Sequence, residues 1–248
     1  MKTTKIFWFA GGLSLFVVAV LAFQNCSKSK NDQEPENSDP EMANTYSVVS
    51  TNRDAAISAN SKLAVQIENL EKEILAPATE DLQGQTHFLS QADSGIVRLM
   101  DSEKSNLLSN QRGCYFSFVN KSHRYDDGTN LELGNGNLSV GFAGADFGFL
   151  SDLGKISIDQ ITASQLEYAT NYLAPPKEAD ARSEHGAFRV GRQSQGQMFI
   201  SHLAAQDGHS YLLRSISYGH SDVLVVFQIL RTDTDQSKIL AWRIIKNY

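Results

Sequence analysis

The run Val223-Leu224-Val225-Val226-Phe227 constrains this chain more than any other stretch, because it is apolar at every position. A strand with no polar face must be covered on both sides, which places it at the centre of a sheet held between two layers. Around it, residues 210–218, 223–232 and 238–245 read as consecutive strands. Asp233-Thr234-Asp235-Gln236 supplies the turn between the last two. Trp242 and Ile244, two positions apart on a strand, are expected on one face.

The same short-period pattern extends from residue 84 to 248. Further strands are expected at 86–89, 95–101, 113–119, 130–133, 138–142, 155–159, 187–190 and 198–204. Turn clusters such as Asp126-Asp127-Gly128, Gly134-Asn135-Gly136-Asn137 and Gln206-Asp207-Gly208 bound them. Short strands with frequent turns predict a mainly β fold, an antiparallel sandwich or barrel over 84–248. One helix is inserted. Thr162 and Gln165 have capping-box spacing, Leu166, Ala169 and Leu173 form its apolar stripe, and Pro175-Pro176 stops it. Residues 177–185 are polar and read as a surface loop.

Ahead of this domain, residues 47–77 carry an amphipathic helix, expected from about Asn52 to Ala76. Thr51 and Asp54 are its capping pair and Pro77 ends it. Leu63, Ile67, Leu70 and Ile74 recur at spacings of 4, 3 and 4, the a/d rhythm of a coiled coil. Upstream, Asn60 and Ala56 hold the same register weakly. Two readings follow: the helix lies on its own domain through this stripe, or the stripe is the seam of an oligomer.

Residues 26–46 are rich in Ser, Asn, Asp, Glu, Lys and Pro and bury too little to offset the entropy of ordering. They are expected to form a disordered tether with a reach of roughly 25 Å. Before it, Lys2 and Lys5 precede an apolar run from Ile6 to Phe23, the pattern of a secretory signal. Positive residues keep that end on the cytoplasmic side. The run is near the lower limit of ~17–25 residues for a membrane-spanning helix, so an uncleaved anchor and a secreted product are alternatives.

The sequence Leu21-Ala22-Phe23-Gln24-Asn25-Cys26-Ser27 resembles the lipobox of bacterial lipoproteins, with Asn25 where that pattern has a small residue. The resemblance covers about the first 27 residues. It implies that 1–25 is a signal peptide, that Cys26 is the lipid attachment site carrying acyl chains such as palmitate, and that the bilayer is a partner. More than one chain gives stable anchoring, each buried CH2 contributing about 0.8 kcal/mol. Ser27 in place of aspartate implies transport to the outer membrane.

Removing residues 1–25 takes away Lys2 and Lys5 and no acid, so the net charge of −6 becomes −8. An acidic chain without a basic cluster argues against a nucleic-acid partner. With Cys26 acylated, the second cysteine, Cys114, has no intrachain partner. It is expected to be a small buried hydrophobe. None of His87, His123, His185, His202, His209 and His220 has metal-ligand spacing. His202 and His209 flank one expected hairpin. Asp233-Thr234-Asp235-Gln236-Ser237 alternates oxygens like a calcium loop but lacks its glycine and distant glutamate, so a hairpin turn explains it.

Phe142, Phe147 and Phe149, interleaved with Gly141, Gly144 and Gly148, form either core beside close backbone approaches or an exposed platform for a glycan or protein partner. Tyr168 and Tyr172 are a second candidate patch. No residue is assigned to catalysis, a cofactor or a metal, and no GxSxG elbow is present. The expected role is an envelope lipoprotein with non-catalytic binding or structural function. The alternative is an extracytoplasmic hydrolase assembled from distant residues such as His202, His209, Ser221 and Asp222.

Overall fold

The computed structural model describes residues 40–105, 108, 113–126, 128–141, 146–176 and 178–248, with side chains from residue 48 onward except that of Glu178. The signal segment, Cys26, the tether to residue 39, Asp127, Phe142 and Gly144 lie outside the described residues. Contacts divide the chain into two units, 1–53 and 54–248. The described part of the first is helical.

The described residues of the second unit fold as an antiparallel β-sandwich with helices on one outer face. The strands are β1 (Ser94–Leu99), β2 (Tyr115–Phe116), β3 (Leu131–Gly134), β4 (Asn137–Ser139), β5 (Asp146–Gly154), β6 (Arg192–Ser194), β7 (Gln197–Phe199), β8 (His202–Ala204), β9 (Ser210–Ser217), β10 (Ser221–Thr232) and β11 (Lys238–Asn247). The larger sheet has the order β1-β11-β10-β9-β5 and the smaller β2-β3-β4-β8; β6 and β7 pair as a separate hairpin. The apolar run Val223–Phe227 therefore occupies the middle strand, and all five residues are fully buried.

Alternation sends the two faces of the large sheet into different layers. Val97, Leu99, Leu150, Tyr211, Leu213, Val223, Val225, Phe227, Leu240 and Trp242 meet Phe116, Phe118, Leu131, Leu133, Leu138 and Val140 of the small sheet and its flanks, with Ile244 packed against them. Trp242 and Ile244 share this face as expected. The opposite face, with Leu212, Ile216, Leu224 and Val226, is covered by helices. These are α3 (Thr86–Leu89), a 3-10 turn at Ile158–Gln160, α5 (Ala163–Asn171) and α6 (Glu178–Val190). Each full burial of a Leu, Ile, Val or Phe side chain contributes about 1.5–3 kcal/mol, so these two cores hold the fold.

At Thr162 the backbone N–H donates to Gln165 Oε1 at 2.9 Å, the expected start of α5. The chain crosses from the small sheet to the large one between β8 and β9. Tyr211 pins that crossing: its hydroxyl donates to the Ala204 carbonyl at 3.1 Å and accepts the Gln206 N–H at 2.8 Å.

Several expectations are corrected. Residues 86–89 are the helix α3, which buries Phe88 against the sheet. Residues 155–159 run into the 3-10 turn. Residues 187–190 are the last turn of α6, and the polar stretch expected as a loop from 177 to 185 is helical from Glu178. That helix is held by Ala181 and Phe188, 3 % and 0 % exposed, on the rings of β5. The expected strand 198–204 is broken into β7 and β8. The first helix, α1 (Pro40–Leu75), begins well before Thr51, so Thr51 lies within it and is not its cap. Residues 40–46 are thus helical and not tether. Between α1 and α3 lies a short helix, α2 (Thr79–Gly84), tied to β10 by Arg231 on Asp81 at 2.8 Å. A single turn, α4 (Ser102–Ser105), follows β1.

Candidate functional site

Of the two candidate aromatic surfaces, the described part of the first is internal and the second is half-buried. Phe147 and Phe149 are fully buried, and Gly148 between them passes so close to β9 that an added Cβ would lie 2.1 Å from the Arg214 carbonyl oxygen. The described end of the glycine-aromatic run, Phe147 to Phe149, is therefore core beside a close backbone approach. Tyr168 and Tyr172 fold onto Phe149, at ring-centroid distances of 5.7 and 5.2 Å. Tyr172 donates to Glu184 Oε2 at 2.8 Å, and Arg192 reaches the same oxygen at 3.1 Å. Burial, then this carboxylate, raise the Tyr172 pKa far above that of an ordinary phenol.

The residues of the hydrolase set are placed apart. His202 is exposed on β8, opposite Ser139 in the small sheet. His209 precedes β9 in the large sheet, its Nδ1 3.0 Å from both carboxylate oxygens of Asp152 on β5. These two histidines do not flank one hairpin, because β8 and β9 belong to different sheets. Ser221 pairs with Ser217 at the far end of β9, so roughly 25 Å of strand separates it from His209. Asp222 is engaged by Arg214 through two hydrogen bonds. Ser221 Oγ is buried without a partner among the described residues. It borders a 330 Å³ recess lined by Val119, Asn120, Asp126, Gly128 and His220.

The turn once comparable to a calcium loop is a hairpin closed by Asp233 N–H to the Ser237 carbonyl at 2.8 Å. Its carboxylates face arginines. Asp235 accepts from Arg98 at 2.8 Å and Asp233 pairs with Arg231. Burial works against ionisation of Asp235, but Ser237 and Arg98 outweigh it and hold its pKa below the usual carboxylate range. Among the described residues no cluster of three or more His, Cys, Asp or Glu is arranged to hold a metal. Cys114 is buried at 2 % exposure.

The described residues present the helix α1 outward, along with single exposed residues such as Leu173 and Val190. From Asp54 to Gln66 every residue is exposed, and contact with the domain begins only at its last turns. There Glu71 and Leu75 are buried at 4 % and 3 %, and Glu68 and Ile67 half-buried. Leu75 packs with Met100 and Leu108. Arg98 donates from Nη1 to the Ile74 carbonyl at 3.0 Å, satisfying a carbonyl that the helix end leaves open. Arg124 approaches Glu68 at 3.7 Å. Beneath this joint His123 is buried, with Nε2 2.9 Å from the Arg98 carbonyl, and burial depresses its pKa below that of free imidazole.

The docked side of α1 is thus the Glu68-Glu71-Leu75 side. The expected stripe looks elsewhere: Leu63, Leu70 and Ile74 are 54 %, 58 % and 44 % exposed. The reading in which α1 lies on its domain through that stripe is corrected at Leu63, Leu70 and Ile74, while Ile67 is half-buried. The sequence rhythm locates the stripe but not the docking residues, whose partners Met100 and Leu108 come from elsewhere in the chain. No described helix is long and apolar enough to cross a membrane. Comparison of the chain with known protein families, with curated proteins and with solved structures finds no match.

Proposed function

We propose that this protein is a lipid-anchored component of a bacterial cell envelope, held at the outer membrane through acylated Cys26. Its role is non-catalytic: it binds or supports a protein or glycan partner. The lipobox-like sequence ending at Cys26 carries the anchoring part of this reading. The non-catalytic part rests on one observation: several of the polar side chains with most chemical potential are engaged in internal pairs. Arg214 holds Asp222, His209 faces Asp152, and Arg98 holds Asp235. Groups committed in this way stabilise strands and turns. The rival hydrolase would use His202, His209, Ser221 and Asp222, and the strand length between His209 and Ser221 speaks against that set. Helix α1, docked by one side of its last turns, is the element that faces a partner.

Mass spectrometry of the native protein tests the anchor. Cys26 is expected at the amino end of the mature chain with acyl chains attached, and Cys26→Ala is expected to leave the detergent phase. An unmodified thiol, or full membrane yield of the variant, overturns the reading.

A further inference from the structure

We propose that the outward stripe of α1 is the seam of a parallel, in-register dimer with a second copy of this chain. The inference rests on α1 as the partner-facing element and is independent of acylation. Three observations carry it.

First, a run of thirteen residues, Asp54 to Gln66, is exposed on all sides of a helix. A single unpacked helix of that length is marginal in water, because helical stability comes chiefly from burying an apolar face. Second, Ala56, Asn60, Leu63, Ile67, Leu70 and Ile74 keep spacings of 4, 3, 4, 3 and 4. With Asn60, Ile67 and Ile74 at position a and Ala56, Leu63 and Leu70 at d, a parallel copy sets each residue against itself. Such a pattern is self-complementary. Arg53 occupies the next a position upstream, so the seam starts at Ala56.

Third, the charges avoid the interface as far as Leu70, and only at its last turn do Glu71 and Glu73 take the e and g positions beside Ile74. Between residues 54 and 70 the ionisable side chains are Asp54, Lys62 and Glu68, all at the outward b or c positions. The flanking e and g positions there are Ile57, Ala59, Ala64 and Gln66. A second helix therefore desolvates no charge along this stretch, which is the costly part of most helix contacts. The domain occupies the Glu71-Leu75 side and leaves Leu63, Leu70 and Ile74 of the stripe open, with Ile67 half-buried at the edge of the joint. Asn60 at an a position selects two strands in register, since a buried asparagine finds its partner only opposite its own copy.

Single-cysteine cross-linking in the full-length chain tests the arrangement. Ile67→Cys and Asn60→Cys are expected to give a disulfide-linked dimer on mild oxidation at least about tenfold more than Lys62→Cys, which points outward. Leu63→Asp with Leu70→Asp is expected to abolish the Ile67→Cys cross-link with the melting temperature of the domain unchanged. Both replaced leucines are more than half exposed. Equal cross-linking at positions 62 and 67, absence of a dimer, or capture of a different protein at position 67 overturns the proposal. Loss of acylation at Cys26 would overturn the anchoring reading and leave this one standing.

Discussion

Arg214 and Asp222 sit one diagonal apart on β9 and β10, where Arg214 opposes Leu224 and Asp222 opposes Ile216. They meet through Nε to Oδ1 at 2.6 Å and Nη2 to Oδ2 at 2.8 Å. The arginine side chain is 1 % exposed and the aspartate 23 %. A guanidinium thus lies on the helix-covered face of the sheet, its third arm donating to the Ala169 carbonyl at 2.8 Å. Such a charge persists in the core only while its partners satisfy it.

Asp222→Asn removes the counter-charge and leaves the arginine buried. Breaking a buried pair from one side costs about 3–5 kcal/mol, and the aspartate's position at the rim puts the expected loss near the lower figure. Arg214→Met should cost less, because Asp222 can still reach water. Urea unfolding of both variants checks the order; a loss below about 1 kcal/mol for Asp222→Asn would refute the account.

Tyr248 closes the same site. Its ring lies 3.4 Å from the Arg214 guanidinium carbon, and its hydroxyl donates to the Thr170 carbonyl at 2.9 Å. Tyr248→Phe removes one hydrogen bond and is expected to cost about 1 kcal/mol. Tyr248→Ala also removes the cation–π contact and admits water to the arginine, for about 2 kcal/mol in all. Calorimetric melting separates the two, and equal melting temperatures would show that the ring contributes nothing.

Gly148→Ala tests the close approach of β5 to β9. The added carbon would meet backbone, which cannot rotate away, and Val140 on the other side. Overpacking of this kind costs about 3 kcal/mol or more. The variant is expected to melt far below the parent, whereas Gly186→Ala, with open space around it, should not. Comparable melting of the two would mean that β5 shifts without penalty.

Acid sensitivity should trace in part to His123. Burial lowers its folded pKa below the unfolded value near 6.5. Between those two values the unfolded chain binds the proton and the folded chain refuses it. The stability contributed by the neutral ring is therefore fully present above about pH 6.5 and is lost as pH falls toward the folded pKa, by up to about 1.4 kcal/mol per pH unit. His185 is depressed in the same direction, by burial and then by Arg189. Glu132, raised by burial, acts oppositely, so the comparison must be between variants. His123→Gln should flatten the slope from pH 6.5 to 5; an unchanged slope would exclude this histidine.

The local sequence sufficed wherever one period and one turn settle the matter. Val223 to Phe227 shows no polar face and so had to lie in the middle of a covered sheet; Trp242 and Ile244 had to point the same way; Thr162 with Gln165 had to open a helix. The a/d rhythm of Leu63, Ile67, Leu70 and Ile74 is equally local. Long-range contact settled the rest. Strand β5 hides its period because Phe147, Phe149 and Leu150 are buried on opposite faces, and only β9, some sixty residues away, makes it a strand. Helix α6 looks like a polar loop until Phe149 offers Phe188 a surface. Which side of α1 docks depends on Met100 and Leu108, and the Arg214–Asp222 pair exists only once β9 and β10 lie in register. A hydrophobic period is written into neighbouring residues, but the identity of the covering surface is a property of segments that meet only on folding.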